Sequence, residues 1–150
     1  MKTENKKSIA EHFEELDKIT SDGKTKHPES CSKFISLLFK AKEDAHITHI
    51  EQRTKSTAIH KAMSIFYSEL DELLDTFAET VMAVHGQLTL SFSAACISNP
   101  LFYMENLYKE VEKAKSMYSE TWILNQIDEI HQLIAHTMYR LKFVTAAPKQ

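Results

Sequence analysis

QLTLSFSAACISN, residues 87–99, is the only strand-like stretch in a chain that otherwise repeats its apolar residues at helical spacing. Its reading decides the fold. Thirteen extended residues reach roughly 43 Å, while the helix expected before them is about 45 Å long. A hairpin loop needs no such length. The stretch therefore reads as a crossover that lets the next helix run parallel to the previous one. A plain up-and-down bundle with a loose linker is the competing arrangement.

Working outward, the preceding helix carries Ile59, Met63, Phe66, Leu70, Leu73, Phe77, Val81 and Val84 on one stripe. It starts near Ser56 or Thr57 and stops at His85-Gly86, since glycine accepts the backbone turn that ends a helix. An earlier helix opens at Pro28, with Glu29 against its positive end, and buries Phe34, Leu38, Ala41 and Ala45. After the linker, Asn99-Pro100 is a cap followed by a first-turn proline. Leu101, Met104, Leu107, Tyr108 and Val111 form the stripe of that third helix. A fourth runs from about Glu120 to Phe143, with Ile123, Ile127, Ile130, Ile134, Thr137 and Leu141 inward. Lys115–Glu120 contains neither glycine nor proline, yet one unbroken helix there would be about 65 Å long, too long for a compact domain.

The expected fold is an all-α, ferritin-like four-helix bundle over residues 28–145, with a long crossover between the second and third helices. Residues 1–27 read as an arm holding a short amphipathic helix over about 9–19, opened by the capping box Ser8–Glu11. Residues 146–150 read as a tail. Two glycines and three prolines in 150 residues suit few, long helices. Hydrophobic residues make up 43% and charged ones 26%, an ordinary globular balance. No apolar h-region opens the chain and no run approaches the ~20 apolar residues of a membrane span. A cytoplasmic protein is expected, with Cys31 and Cys96 as buried thiols. The arm balances Lys2, Lys6, Lys7, Lys18, Lys24 and Lys26 against Glu4, Glu11, Glu14, Glu15, Asp17 and Asp22. A neutral arm releases few counterions, so strong DNA binding is not expected. Trp122 and the tyrosines read as core or interface residues. Ser91, Ser93 and Cys96 belong to no nucleophile elbow or phosphate loop.

The residues that suggest chemistry are histidines and carboxylates. HITHIEQRTKSTAIH, residues 46–60, brings three of eight histidines together, and Asp75 and Glu79 follow at a four-residue spacing. His60, Ser64, Asp71, Asp75 and Glu79 share one polar stripe. Imidazole with carboxylate suits Fe(II). Glu43 with His46, and Asp128 with His131, repeat a carboxylate-x-x-His spacing known from di-metal bundles. The ordinary alternative for all of these is a solvated helix face or polar packing at a turn.

The stretch THIEQRTKSTAIHKAMSIFYSELDELLDTFAE, residues 48–79, resembles the ferroxidase segment of the Dps family of miniferritins. His49, His60, Asp75 and Glu79 fall on the family's ligand positions. Ile50 stands where the family has tryptophan, the turn glycine is missing, Ser64 replaces a ligand aspartate and Thr80 replaces an arginine. The resemblance implies Fe(II) bound between two subunits of a homo-oligomer, from a dimer up to a dodecameric shell. His49 and His60 would come from one subunit, Asp75 and Glu79 from its neighbour, and the iron would then be oxidised and stored. Losing the aspartate at Ser64 implies a weaker site. EQRTKSTAIH also resembles a pattern in small helical proteins encoded by phages and mobile elements. The alternative to an iron protein is a metal-free helical bundle that binds another protein, as an accessory factor of a phage or mobile element.

Overall fold

The computed structural model describes Glu11, residues 27–52 and residues 55–144. The arm with its helix over 9–19 (Glu11 apart) and the tail at 146–150 lie outside the described residues. Four helices follow in order: α1, His27–Glu51; α2, Thr57–His85; α3, Pro100–Ala114; and α4, Thr121–Tyr139. A 3-10 turn, Lys115–Met117, closes α3, and Arg140–Val144 extends α4 with wider π-type turns. There is no strand among the described residues. No described helix is long and apolar enough to cross a membrane.

Local chemistry sets the helix ends. Ser56 Oγ accepts the Ile59 N–H at 3.3 Å and starts α2. Gly86, at φ 97°, ends it while its N–H still reaches the Met82 carbonyl at 3.1 Å. Such a positive φ strains any residue with a Cβ. Asn99 Oδ1 accepts the Phe102 N–H at 3.1 Å, with Pro100 in the first turn of α3. The break between α3 and α4 falls where helix length alone demands one.

Cross-links give the helix directions. His49 meets His60 and Lys42 meets Asp71, so α1 and α2 are antiparallel. Tyr103 reaches Asp44, while Tyr118 lies against Phe34, so α3 also opposes α1. Lys115 meets Asp128 and Lys142 meets Glu105, so α4 opposes α3. Thus α2 and α3 are parallel. Helix α1 packs chiefly on α2, α2 on α4, and α4 on α3. The core they share includes Phe34, Leu38, Met63, Phe66, Leu70, Phe77, Met104, Leu107, Ile123 and Ile127, all fully buried. The expected stripes differ from this core at a few places. Leu74 is buried, while Val84, Tyr108 and Trp122 are 44%, 38% and 50% exposed. Val84 sits in the last turn of α2, at the end of the bundle. Tyr108 instead lays its ring on His131, 3.9 Å between centroids. Cys31 is buried as expected, but Cys96 is only half-buried, on the extended segment.

That segment, here called the strap, runs parallel to α1 along most of its length. Ser32 Oγ accepts the Thr89 N–H at 3.1 Å and Ser36 Oγ the Ser91 N–H at 3.0 Å. Lys40 Nζ donates to the Ser93 carbonyl at 2.7 Å. Asp44 Oδ1 accepts the Ala95 N–H and Thr48 Oγ1 the Ile97 N–H, both at 2.8 Å. The match is one of repeat lengths. Four helical residues rise about 6 Å, and two extended residues rise about 6.6 Å. A stripe of polar side chains every fourth residue therefore meets every second backbone group of the strap. One backbone group of each of these five alternate strap residues is met by a side chain of the helix.

Candidate functional site

The turn from α1 to α2 brings His49 and His60 together. Their rings stack at 3.9 Å between centroids and 18° between planes. His60 Nδ1 donates to the His49 carbonyl at 2.6 Å, and His49 Nδ1 donates to the His60 carbonyl at 3.0 Å. A carbonyl only accepts, so each neutral ring carries its proton on Nδ1 and keeps its lone pair on Nε2. Imidazole lone pairs lie in the ring plane. Planes stacked this way do not meet at the ~2.1 Å typical of a metal–nitrogen bond. One ion shared by the two rings would require one of them to rotate off its carbonyl.

The neighbours are aromatic and acidic. His46 stacks on Tyr67 at 4.3 Å, and Tyr67 tilts against His49 at 5.5 Å. Glu43 Oε2 is 3.9 Å from His46 Nδ1, too long for a strong pair, and bonds Lys42 through its other oxygen at 3.2 Å. Asp75 and Glu79 are exposed on α2. They lie about 22 and 28 Å along the axis from His60 at 1.5 Å per residue. Within one chain they do not join the histidines. Among the described residues no three of His, Cys, Asp and Glu come together as a metal would need. Ser64 is half-buried on the same stripe.

Asp128 and His131 are drawn into a different network. Lys115 bridges Asp128 at 2.8 Å and Glu112 at 2.9 Å. His131 Nδ1 lies 3.3 Å from that same Glu112 oxygen. Burial lowers the His131 pKa below its ordinary 6.5, and the Lys115 charge adds to the shift. The folded chain thus holds this ring neutral more firmly than the unfolded chain does. Its stabilising contribution is complete above about pH 6.5 and is lost as pH falls through the lower folded value. The urea midpoint of His131→Gln is accordingly expected to fall less than that of the unaltered chain between about pH 6.5 and 5. Equal falls would refute this role.

The most buried polar centre lies outside the histidine and carboxylate pattern of the sequence. Lys40 and Asp44 are 4% and 2% exposed. Lys40 Nζ lies 3.1 Å from Asp44 Oδ2, and the Tyr103 hydroxyl donates to that oxygen at 2.8 Å. Burial, reinforced by the Asp44 charge, pushes the Tyr103 phenol well above its ordinary pKa, so it remains a donor. The signal was present as Ser32, Ser36, Lys40, Asp44 and Thr48 at four-residue spacing. The thiols show no activation: burial raises the pKa of both Cys31 and Cys96, which disfavours the reactive thiolate.

The exposed apolar residues are unevenly placed. Ile50, Phe102, Tyr139, Phe143 and Val144 are each more than half exposed, from 53% to 65%. No other large apolar side chain among the described residues is more than half exposed. All five lie at one end of the bundle, where α1 finishes, α3 begins and α4 ends. Tyr139 and Phe143 are in ring contact there, 5.3 Å between centroids.

No solved structure matches the chain. An uncharacterized 14.6 kDa protein from the mobD-ri intergenic region of Enterobacteria phage T4 is 28% identical over 116 residues, 76% of this chain and 89% of the relative. A family model matches residues 49–141, more than half of the chain, from the stacked histidines to the end of α4. The chain therefore belongs to DUF5856, a family of unknown function.

Proposed function

We propose that this protein is a helical-bundle interaction factor that works by binding another protein through one end of the bundle. The observation that carries this reading is that Ile50, Phe102, Tyr139, Phe143 and Val144, the most exposed large apolar residues among those described, all lie at that end, with Tyr139 and Phe143 in ring contact. Soluble proteins seldom leave large apolar side chains grouped in water unless a partner covers them. The likeness to a phage protein favours an accessory factor encoded by a phage or mobile element. Phe102→Asp with Phe143→Asp tests the reading. Both side chains are more than half exposed, so the double variant is expected to keep its helix content. It is expected to lose a partner that the unaltered chain binds when both are purified. An unchanged set of partners for the double variant would exclude this end as the binding surface.

A second reading keeps the iron chemistry and places it between copies. Parallel α2 and α3 joined by a crossover are the connectivity of ferritin-like bundles. Nδ1–H bonds to carbonyls leave each Nε2 lone pair free, the tautomer a metal ligand uses, and one ion held by both rings requires one of them to turn out of the stack. Asp75 and Glu79, exposed and far from His60 in their own chain, would serve a neighbour's histidines. Anaerobic Fe(II) titration followed by oxidant addition tests this. Binding and fast ferric absorbance, lost in both His60→Ala and Asp75→Ala, would support a ferroxidase. Binding no better than in the two variants would end that reading and leave the interaction factor.

A further inference from the structure

The strap has a second edge. In an extended chain the N–H and C=O of one residue point to the same side, and successive residues alternate. Thr89, Ser91, Ser93, Ala95 and Ile97 turn theirs toward α1. Leu88, Leu90, Phe92, Ala94 and Cys96 therefore turn theirs the other way. No backbone hydrogen bond joins any of these five to another described residue.

Natural edges are usually guarded by lysine, proline or a bulge. This one is not: no charged residue occurs from Gly86 to Met104, and no proline before Pro100. Leu90 and Phe92 remain 42% and 37% exposed, although Phe92 stacks on Phe39 of α1 at 6.2 Å.

We propose that the open edge pairs, antiparallel and across a two-fold axis, with the strap of a second copy of this chain. The argument for a second copy is the gradation of side chains along the even positions. Leu88 and Leu90 are large, Ala94 and Cys96 are small, and Phe92 is the midpoint. Antiparallel pairing centred on Phe92 sets Leu90 opposite Ala94 and Leu88 opposite Cys96, large against small on both sides of the axis. The two Phe92 residues face each other as a hydrogen-bonded pair, with Cα atoms about 5.5 Å apart. An isologous contact of this kind uses the same surface twice and closes at two copies. It is independent of the apolar end assigned above to a different protein.

Sedimentation of the full chain at micromolar concentrations tests the pairing. The unaltered chain is expected to sediment as a dimer. Phe92→Lys and Phe92→Glu are each expected to be monomers of unchanged helix content, because like charges then sit directly opposite. Mixing the two is expected to restore a dimer. A monomeric unaltered chain overturns the proposal. So does a Phe92→Lys chain that dimerises as well as the original, or a mixture that stays monomeric although both variants are folded. Phe92→Cys gives a readout that does not depend on those variants folding. On oxidation it is expected to link two copies through position 92. A dimer that forms without that link lies on another surface, and the strap assignment fails.

Discussion

Asp44→Ala is expected to destabilise the bundle by about 3–5 kcal/mol, the usual cost of removing one partner of a buried ion pair. The carboxylate accepts from the Lys40 ammonium, the Tyr103 hydroxyl and the Ala95 N–H. Its loss leaves a cation 4% exposed without a counter-charge. It also orphans the buried Tyr103 hydroxyl, and a buried unmet donor costs roughly 1–3 kcal/mol. Lys40 keeps its bond to the Ser93 carbonyl, and its long stem can reach toward water, so the lower half of the range is expected. Urea unfolding measures it. Lys40→Met combined with Asp44→Leu removes both charges, and it is expected to cost less than Asp44→Ala alone. A single-variant loss below about 1 kcal/mol, the scale of an exposed pair, would show that water reaches the network.

Phe34→Ala is expected to cost about 3–5 kcal/mol, from lost transfer energy together with the cavity left behind. Phe34 is fully buried. Its ring meets Phe77 edge-on at 5.9 Å and Tyr118 at 6.5 Å, and those two rings meet each other at 6.2 Å. The trio joins α1, α2 and the break before α4, so no single helix can shift to refill the space. A double-mutant cycle between Phe34 and Phe77 is expected to return about 0.5–1.5 kcal/mol of coupling from ring geometry. A Phe34→Ala loss under about 1.5 kcal/mol would mean that the core collapses around the gap.

Much of the fold was legible because long amphipathic helices write their buried face as a period. The stripe of α4 is legible almost residue for residue, while that of α1 gives Phe34, Leu38, Ala41 and Ala45 but not the equally buried Ile35 and Leu37; the limits of α2 and the start of α3 follow from Ser56, Gly86 and Asn99-Pro100. The strap was recognisable as extended from its β-branched and aromatic content and its length. What holds it was not recognisable. A polar stripe inside a helix looks the same whether it faces water or a strand. Only its coincidence with an uncharged stretch elsewhere in the chain distinguishes Ser32, Ser36, Lys40, Asp44 and Thr48 from a solvated face. The histidines were correctly drawn to one turn, since three of them flank it. Their stacking was not predictable, because ring orientation depends on which carbonyl each Nδ1 finds. Asp75 and Glu79 join them only through the resemblance; in their own chain the helical rise sets them about 22 and 28 Å from His60.

The ladder between α1 and the strap also bears on the order of folding. Its rungs join residues 57, 55, 53, 51 and 49 positions apart. From an unfolded chain each such loop is entropically costly to close. Once α1 and α2 have formed their antiparallel pair, most of the loop is rigid helix, and Gly86 delivers Thr89 beside Ser32. Each later rung then needs only two more residues to settle. The ladder is then expected to close like a zipper from Thr89 toward Ile97, carrying Pro100 to the end of the bundle where α3 begins. Rungs made this late would stabilise the native state more than the transition state, so stopped-flow kinetics of Ser36→Ala are expected to show faster unfolding at a nearly unchanged folding rate.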